Sequence, residues 1–437
     1  MVAANPIKAI RKKFHQAVRG LLAAMPRDTR FAVYRSFVDC DPAPTDRLLL
    51  KIADTREELE ACFSLLHDAY VDSGFMKPDP SGMRVTIYHA LPTTTTLCAK
   101  WDGEVVGTIS LIRESAFGFP LQKIFDLSGV RQKEGNLAEV SALAVHPKFR
   151  KTGGAILFPL MKFMYEYATQ YFDTRHLLIA VNPNRIEMYE SLLFFERLTA
   201  NVVDNYDFAN GAPAIGATLD LQVAPDILQA AYRGKAPRKN LHAYFTEVRL
   251  PNLKLPNRRY FTTNDPVLTP ELLDYFFNFR TDGFLNLDER KKALLHSIYD
   301  LPAYRDVLPG IPLPETGVQL RQHQRFSVKC PGQLRLDESG RGANEFNVQV
   351  IEVSEYGFQA YAQERLPLNI WSLVTIKLGK SETSVVKALA VREKANGFNG
   401  FYGFRVGEPD LIWRKFVSAL EKGSTHEDLE HSTMYLA

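Results

Sequence analysis

The sequence has few cysteines, and they are not arranged as a metal site or a disulfide framework. Four occur in 437 residues, at Cys40, Cys62, Cys98 and Cys330. None belongs to a CxxC motif or to a His/Cys cluster with metal-ligand spacing. This pattern is typical of a reducing compartment and argues against a structural zinc site. We therefore predict a cytoplasmic protein that binds no metal.

Long apolar runs, repeats and a strong net charge are also missing. No run reaches the roughly 18 residues that a membrane-spanning helix needs, and no apolar stretch near the N-terminus precedes a small-residue cleavage site, so we predict no signal peptide. The sequence shows no internal repeat and no low-complexity tract. Because the net charge is only +3 and no nucleic-acid-recognition motif is present, we expect no nucleic-acid partner.

The first feature that is present is a local excess of basic residues at the N-terminus. Apolar residues recur there at helical spacing from Ile7 to Leu21, and Pro6 suits a first helical turn. The basic residues that precede the first acidic residue, Asp28, include Lys8, Arg11, Lys12, Lys13 and Arg19. Such a basic amphipathic helix either contacts anionic lipid at the inner membrane through residues 6–25 or docks on its own domain.

The length and the patterning predict several domains. A chain of 437 residues is expected to hold about two or three. Strand and helix patterns alternate from Leu48 to Leu221, with a capping box at Thr55 and Glu58 and a hairpin turn at Asp102-Gly103. Short strands with turns follow Arg321. The predicted segments are a basic N-terminal segment (1–46), an α/β domain (47–224), a helical extension (225–300), a Pro-rich linker (301–320), a small β-barrel domain (321–422) and a flexible tail (423–437).

One loop in the α/β domain has the composition of an anion-binding turn. Residues Arg150 to Ala155 lie between a strand and a helix and include Gly153 and Gly154. Glycines allow a tight turn, and the unpaired amides and dipole at the start of a helix attract phosphate. By itself the pattern also fits an ordinary tight turn between a strand and a helix, so both interpretations stay open.

The surrounding sequence resembles a known enzyme family. The strand Glu139–Val145, followed by R-x-x-G-x-A at 150–155, resembles the acyl-thioester-binding loop of GNAT acyltransferases. Over roughly residues 48–300 the order of motifs resembles a narrower branch, the long-chain N-acyl amino acid synthases, which are relatives of the acyl-homoserine-lactone synthases. The other matching motifs are Ser81–Val85, Leu91–Thr96, Asp102–Gly107 and Gly118–Pro120. The resemblance implies a mixed GNAT-like sheet with helices and an N-acyltransferase activity.

The resemblance also implies roles for individual residues. Attack of a neutral amine on a thioester needs a base, donors for the oxyanion and an acid for the departing thiolate. Glu139 is then the base, Ser141 orients a water or the amine, and Tyr189 is the acid. Backbone amides near Leu143–Val145 face the thioester carbonyl. The residues expected to bind the acyl donor are Val145, Arg150, Gly153, Gly154, Ala155 and Asn182.

Each of these assignments has a structural alternative. Glu139 could equally form a salt bridge at a strand edge, and Tyr189 could be a core aromatic beside Phe194 and Phe195. Arg84 is the candidate for holding an acceptor carboxylate, although an exposed arginine is the commoner outcome. The acceptor is a primary amine such as an amino acid, whose identity the sequence leaves open.

The acyl donor has two candidates and no cofactor is required. The resembled branch tends to use a fatty acyl group on acyl carrier protein rather than on coenzyme A. Carrier proteins are acidic, so Lys148, Arg150 and Lys151 offer an electrostatic docking site. Basic loops are also often simply solvated.

A second resemblance lies near the C-terminus. Arg321 and Arg325, spaced R-x-x-x-R, and Glu352-x-Ser354-x-x-Gly357 resemble the PilZ signature, over about residues 318–422. The resemblance implies a small six-stranded β-barrel that binds cyclic-di-GMP through these five residues. Arginine planes stack on purines and form paired hydrogen bonds with phosphates. The sequence departs from the signature at Glu352, where the family usually has Asp or Asn.

Together these features favour a cyclic-di-GMP-responsive N-acyltransferase that moves a fatty acyl group from a thioester to an amine. The alternative from another class is a non-catalytic cyclic-di-GMP receptor whose acyltransferase domain is degenerate. Neither the oligomeric state nor the direction of regulation follows from the sequence.

Overall fold

A computed structural model describes residues 24–150, 152–172, 174–206, 210–262, 268–299, 304–311, 325–336, 345–393 and 400–421. The basic helix expected at residues 6–25, apart from its last two residues, and the predicted tail lie outside these ranges. Within them, no helix is long and apolar enough to cross a bilayer. The same ranges hold no group of three or more His, Cys, Asp or Glu residues that could bind a metal.

The alternating apolar runs of the first half form one mixed sheet. In the described chain its strand order is β1-β2-β3-β4-β5-β8-β6, and β7 pairs with β8. Only the β4–β5 pair is parallel among these pairings. The strands are β1 Leu48–Ile52, β2 Thr94–Trp101, β3 Glu104–Arg113, β4 Asn136–Val145, β5 Thr174–Val181, β6 Glu196–Arg197, β7 Val203–Tyr206 and β8 Ala212–Asp220. This mixed α/β sheet confirms the predicted fold class.

Local sequence signals determine several element ends. Asp102 and Gly103 turn the β2–β3 hairpin with positive φ angles of 50° and 87°, the conformation that Asp-Gly favours in a two-residue turn. The Thr55 side chain caps the next helix by accepting from the Glu58 amide at 3.2 Å. The hairpin prediction is confirmed. Of the predicted capping box only the Thr55 half is present, because the Glu58 carboxylate pairs with Lys51 and Lys100 instead of accepting from the Thr55 amide.

Helices cover both faces of the sheet. The helices are α1 Arg27–Ser36, α2 Arg56–Asp72, α3 Ser128–Arg131, α4 Leu157–Phe172, α5 Pro183–Leu193, α6 Ala224–Tyr232, α7 Leu241–Thr246, α8 Pro270–Asp274 (continued by a π-helical turn, Tyr275–Phe279) and α9 Glu289–Ile298. One face, the α4 face, packs against α4, α6 and α7; the opposite face, the α2 face, packs against α2, α8 and α9. Each face buries its own apolar core, which stabilises the sheet between two helical layers.

The segment predicted as a helical extension is only partly helical. After α7 the chain runs along the free edge of β1, where the Leu50 amide donates to Asn252 O at 2.9 Å and the Lys254 amide donates to Leu50 O at 2.8 Å. The predicted linker also differs, because Tyr304 and Leu308 are buried in the core of the α2 face. Backbone hydrogen bonds hold the first stretch against β1, and apolar contacts hold Tyr304 and Leu308 against the α2 face. Local sequence reveals neither set of contacts.

The C-terminal strands close into a barrel, as predicted. The order is β10-β11-β14-β13-β12-β9, and Trp413 and Phe416 of the following helix, α10 (Leu411–Glu421), are fully buried in the barrel core. The strands are β9 Phe326–Leu336, β10 Glu345–Ser354, β11 Gly357–Ala362, β12 Trp371–Lys377, β13 Thr383–Glu393 and β14 Phe401–Val406.

A short segment, Arg258–Thr262, contacts both domains. Tyr260 is buried in the barrel core, with its ring centroid 4.9 Å from that of Phe416. The Phe261 amide donates to Leu378 O at 2.8 Å. On the other side, the Arg258 guanidinium lies over the rings of Tyr171 and Phe172, at the C-terminal end of α4. The barrel is therefore joined to a helix of the first domain by a packed connection, which the sequence did not predict.

Candidate active site

The parallel pairing of β4 and β5 stops in the middle of the sheet. Its last residue pair is Glu139 with Leu178. Directly afterwards β4 contains a bulge: Ser110 pairs with Ser141 and Thr108 pairs with Ala144, while Ala142 has a φ of 54°. A bulge bends a strand and removes backbone groups from the ladder. The two strands therefore enclose an opening in the sheet.

A cavity of about 650 Å³ fills this opening and reaches both faces of the sheet. Both strands line it, through residues 139–145 of β4 and 179–181 of β5. On the α4 face the walls are apolar and include Met161 and Met164. On the α2 face the walls are more polar, with Tyr70, Tyr206 and Glu139. The opening through the sheet thus connects an apolar compartment on the α4 face with a polar compartment on the α2 face, which contains an ionisable carboxyl group.

Glu139 is the buried carboxyl group at this junction. It is 2% exposed, and its Oε2 accepts a hydrogen bond from the Leu121 amide at 3.1 Å. Burial raises the pKa of Glu139 to about 8, and the Leu121 amide opposes this shift only in part. Among the described residues no Lys, Arg or His forms an ion pair with it, so the structure does not support the salt-bridge alternative. Its pKa is in the range of a general base that works near neutrality.

Tyr189 and Asn182 meet the same cavity from α5. Asn182 caps this helix, its side-chain oxygen accepting from the Asn184 amide at 3.0 Å, and both residues line the cavity. The Tyr189 ring also packs edge-on against Phe195, with centroids 5.9 Å apart. Burial raises the pKa of Tyr189, so the phenol keeps its proton. Tyr189 thus both packs against Phe195 and lines the cavity, so the core-aromatic alternative does not exclude a role in the site.

The glycine loop enters α4 beside the cavity. Gly153 and Gly154 have φ angles of 67° and 95°, and a Cβ at Gly154 would lie 2.5 Å from the Phe158 ring. Arg150 donates from Nε to Val145 O at 2.8 Å, which ties the loop to the end of β4. Of the predicted donor-binding residues, Val145, Arg150 and Asn182 line the cavity. Gly153, Gly154 and Ala155 are not among its lining residues, and Lys151 lies outside the described residues.

Two further predicted residues lie on the α2 side. Ser141 is half-buried and lines the cavity. Arg84 does not line it, but its guanidinium lies 4.1 Å from the ring centroid of Tyr70, which does. Arg280 holds the loop that carries Arg84, donating to Ser81 O at 3.3 Å and pairing with Glu60. Arg84 is thus fixed near the polar end of the cavity.

Sequence reasoning missed several components of this site. Tyr70 and Tyr206 line the cavity but belong to no motif. The bulge at Ala142 has no local signature, because neither neighbour is a glycine. For the contact between Leu121 and Glu139 the sequence did offer a signal: the Gly118-Phe-Pro120 motif directly precedes Leu121, whose amide donates to Glu139.

The predicted nucleotide-binding residues of the barrel are partly described. Arg325 precedes β9 and forms an ion pair from Nη1 to Oε1 of Glu352 at 2.7 Å. Ser354 donates from Oγ to Gly357 O at 3.1 Å. A Cβ at Gly357 would lie 2.9 Å from Phe404 O, so the neighbouring strand leaves no room for a side chain there. Arg321 lies outside the described residues.

Comparison with known proteins gives a family match for the first domain. Residues 61–220 match the model of the N-acyl amino acid synthase FeeM family. The comparison with curated proteins gives no match. The family match covers less than half of the chain and ends before the barrel.

Several solved structures are similar to the same part of the chain. The N-acyl amino acid synthase FeeM from uncultured soil microbes is 24% identical over 42% of this chain and 95% of its own, with a TM-score of 0.36. The CoA-dependent acyl-homoserine lactone synthase BjaI, solved with SAM and isopentyl-CoA, is 18% identical over 48% and 92%, with a TM-score of 0.34. A GNAT-family acetyltransferase from Streptococcus pneumoniae is 12% identical over 40% and 98%, with a TM-score of 0.29.

The family match rests on the sequence of the domain that contains the cavity, Glu139 and the glycine loop. The first half of this chain is therefore an N-acyltransferase domain similar to the N-acyl amino acid synthases.

Proposed function

We propose that this protein transfers a fatty acyl group from a thioester donor to the amine of an amino acid, and that cyclic-di-GMP bound to the barrel regulates the transfer. The observation that carries the proposal is the position of Glu139, which is buried at the opening that connects the apolar and polar compartments and has no cationic partner among the described residues. The apolar compartment suits an acyl chain, and the polar compartment suits an amine with a charged group.

The reaction needs a single substitution at the thioester carbon. Ionised Glu139 accepts a proton from the attacking amine as the new C–N bond forms. Backbone amides released by the bulge stabilise the oxyanion. The C–S bond then breaks, and the thiolate takes a proton from Tyr189 or from water. Glu139 afterwards releases the amine proton to solvent, and Tyr189, if it was the donor, regains a proton from solvent. The products are an amide and a free thiol, so atoms and charges balance without a cofactor.

The acceptor is held through its carboxylate by Arg84. The guanidinium stacks on Tyr70 beside the polar compartment, and an arginine binds a carboxylate through two parallel hydrogen bonds. We expect Arg84→Ala to raise KM for the amino acid about tenfold, since one charge-assisted contact is lost, while kcat changes little. Steady-state kinetics with varied acceptor measure this, and Arg131→Ala, which removes an exposed arginine outside the cavity, is the control. An unchanged KM would remove Arg84 from the acceptor site.

For the proposed regulation we infer a route that runs from the barrel to the cavity. Arg325 and Glu352 form an ion pair at the predicted nucleotide site, and an anionic ligand on Arg325 competes with that carboxylate. The barrel core holds Tyr260, and the adjacent Arg258 stacks on the end of α4. Met161 and Met164 of the same helix line the cavity. A ligand that favours one packing of the barrel thereby shifts the population of cavity conformations.

The proposal is tested by thiol release. Purified full-length protein is given a long-chain acyl donor and mixed amino acids, with and without cyclic-di-GMP. The donor is acyl carrier protein in one arm and coenzyme A in the other. We expect release with at least one donor and a rate that changes with the nucleotide. No release from either donor, with nucleotide binding measured on the same sample, would instead support the non-catalytic receptor.

A further inference from the structure

The apolar compartment of the cavity is completed by a part of the chain that follows the family match. The match ends at residue 220, whereas Leu228 of α6 and Phe245 of α7 both line the cavity. Their exposed fractions are 6% and 7%, so both side chains are buried. Met161 and Met164 of α4 line the same compartment.

Phe245 is held in place by its surroundings. The buried Lys162, 1% exposed, donates from Nζ to Phe245 O at 3.1 Å and pairs with Glu166 at 2.8 Å. The Tyr165 ring meets the Phe245 ring edge-on, with centroids 5.7 Å apart. Moving Phe245 would leave the Lys162 ammonium without one of its buried partners, which is costly. The backbone at Phe245 is therefore held by Lys162, and its side chain packs against the Tyr165 ring.

The two ends of the cavity take different parts of the substrates. Glu139 and Tyr206 lie towards the α2 face, whereas Leu228 and Phe245 pack with the α4 face. A thioester carbon that reacts next to Glu139 thus directs its acyl chain towards α4, α6 and α7. We propose that Phe245 and Leu228 set the length of the acyl chain that this enzyme accepts. This inference rests on the proposed acyl transfer and adds its specificity determinants.

The test compares a series of even-numbered acyl donors on the full-length protein. Phe245→Ala is expected to move the optimum towards chains longer by roughly two to four methylene groups, because a benzyl side chain buries about as much apolar surface as that many methylenes. The ratio of kcat/KM for the longer chain to that for the original optimum should rise at least about tenfold. Leu228→Phe should shift the optimum in the opposite direction.

The matched control is Leu241→Ala. Leu241 lies on the same helix, α7, and is fully buried, but it does not line the cavity. It should lower stability and leave the chain-length optimum unchanged. Binding of free fatty acids of the same lengths gives a readout that does not need turnover. It is measured by the displacement of a bound fluorescent fatty acid.

The outcomes separate this inference from the proposed function. An optimum that is the same in the wild type, Phe245→Ala and Leu228→Phe would overturn the length assignment and leave acyl transfer intact. If no protein transfers any chain, the proposed function fails, and the binding series decides the inference. A shifted chain-length preference in fatty-acid binding supports the length assignment, and an unchanged preference overturns it.

Discussion

Glu139→Gln is expected to lower kcat by about two to four orders of magnitude. Glutamine keeps the shape and accepts the Leu121 hydrogen bond, but it cannot take a proton from the amine. Because the cavity itself is retained, KM for the donor should change little. Single-turnover measurements of amide formation separate the chemical step from product release. Full turnover by this variant would show that Glu139 is not the base.

The pH dependence gives a second readout of the same residue. Burial raises the pKa of Glu139 to about 8, so the basic form accumulates as pH rises towards that value. Wild-type kcat/KM should therefore increase with pH up to about 8, and Glu139→Gln should lose this dependence. A raised acid pKa also means that ionisation of Glu139 lowers stability as pH rises from about 4.5 to about 8. The Gln variant should be relatively more stable over that window.

Glu58→Gln is the matched control for a buried carboxylate. Glu58 is 6% exposed, forms ion pairs with Lys51 and Lys100 at 2.8 and 2.6 Å, and does not line the cavity. Burial alone would raise the pKa of Glu58, but the hydrogen bonds and charges of Lys100 and Lys51 together outweigh it and lower the pKa. Its stabilising effect is present above its ordinary pKa and is lost as pH falls, so Glu58→Gln should lower Tm at neutral pH while kcat is kept. Glu139→Gln should thus lose turnover without losing stability, whereas Glu58→Gln should lose stability without losing turnover.

Arg325→Ala is expected to weaken cyclic-di-GMP binding about 100-fold. A hydrogen-bonded contact with a charged group contributes about 1.5–3 kcal/mol, and an arginine also stacks on the purine. Titration calorimetry on the full-length chain measures Kd directly. Arg335→Ala is the control, since Arg335 is an exposed arginine on the following strand, β9. Equal affinity of Arg325→Ala and wild type would remove this site from the proposal.

A substitution at Glu352 is expected to change nucleotide affinity in the opposite direction in the same experiment. Its carboxylate holds Arg325 at 2.7 Å, and both side chains are about one-third exposed. An ion pair of this kind contributes up to about 1 kcal/mol, which the nucleotide must replace. Glu352→Asn releases Arg325 and should tighten nucleotide binding up to about fivefold. Tighter binding by Glu352→Asn would show that a glutamate at this position, where the PilZ signature usually has Asp or Asn, lowers the affinity for the nucleotide.

Local sequence was sufficient for several turns and helix ends. The Asp102-Gly103 turn and the Thr55 cap depend on conformational preferences and hydrogen bonds within a few residues. Glycines at 153 and 154 predicted a tight turn before a helix, and both have positive φ angles. The motif around Glu139 likewise picked out the residue that the structure buries in the cavity wall.

Only the tertiary structure decided how these parts act together. The opening at Glu139 depends on where two strands stop pairing, the bulge at Ala142 depends on the register with β3, and Phe245 reaches the cavity from a helix 106 positions further along the chain than Glu139. Tyr260 likewise packs in the core of a barrel whose first strand begins at Phe326, far along the chain. Sequence patterns report preferences of neighbouring residues, whereas burial, pKa and cavity shape are set by residues far apart in the chain. The sequence alone therefore determined which groups are present, and the packing of distant segments determined what those groups can do.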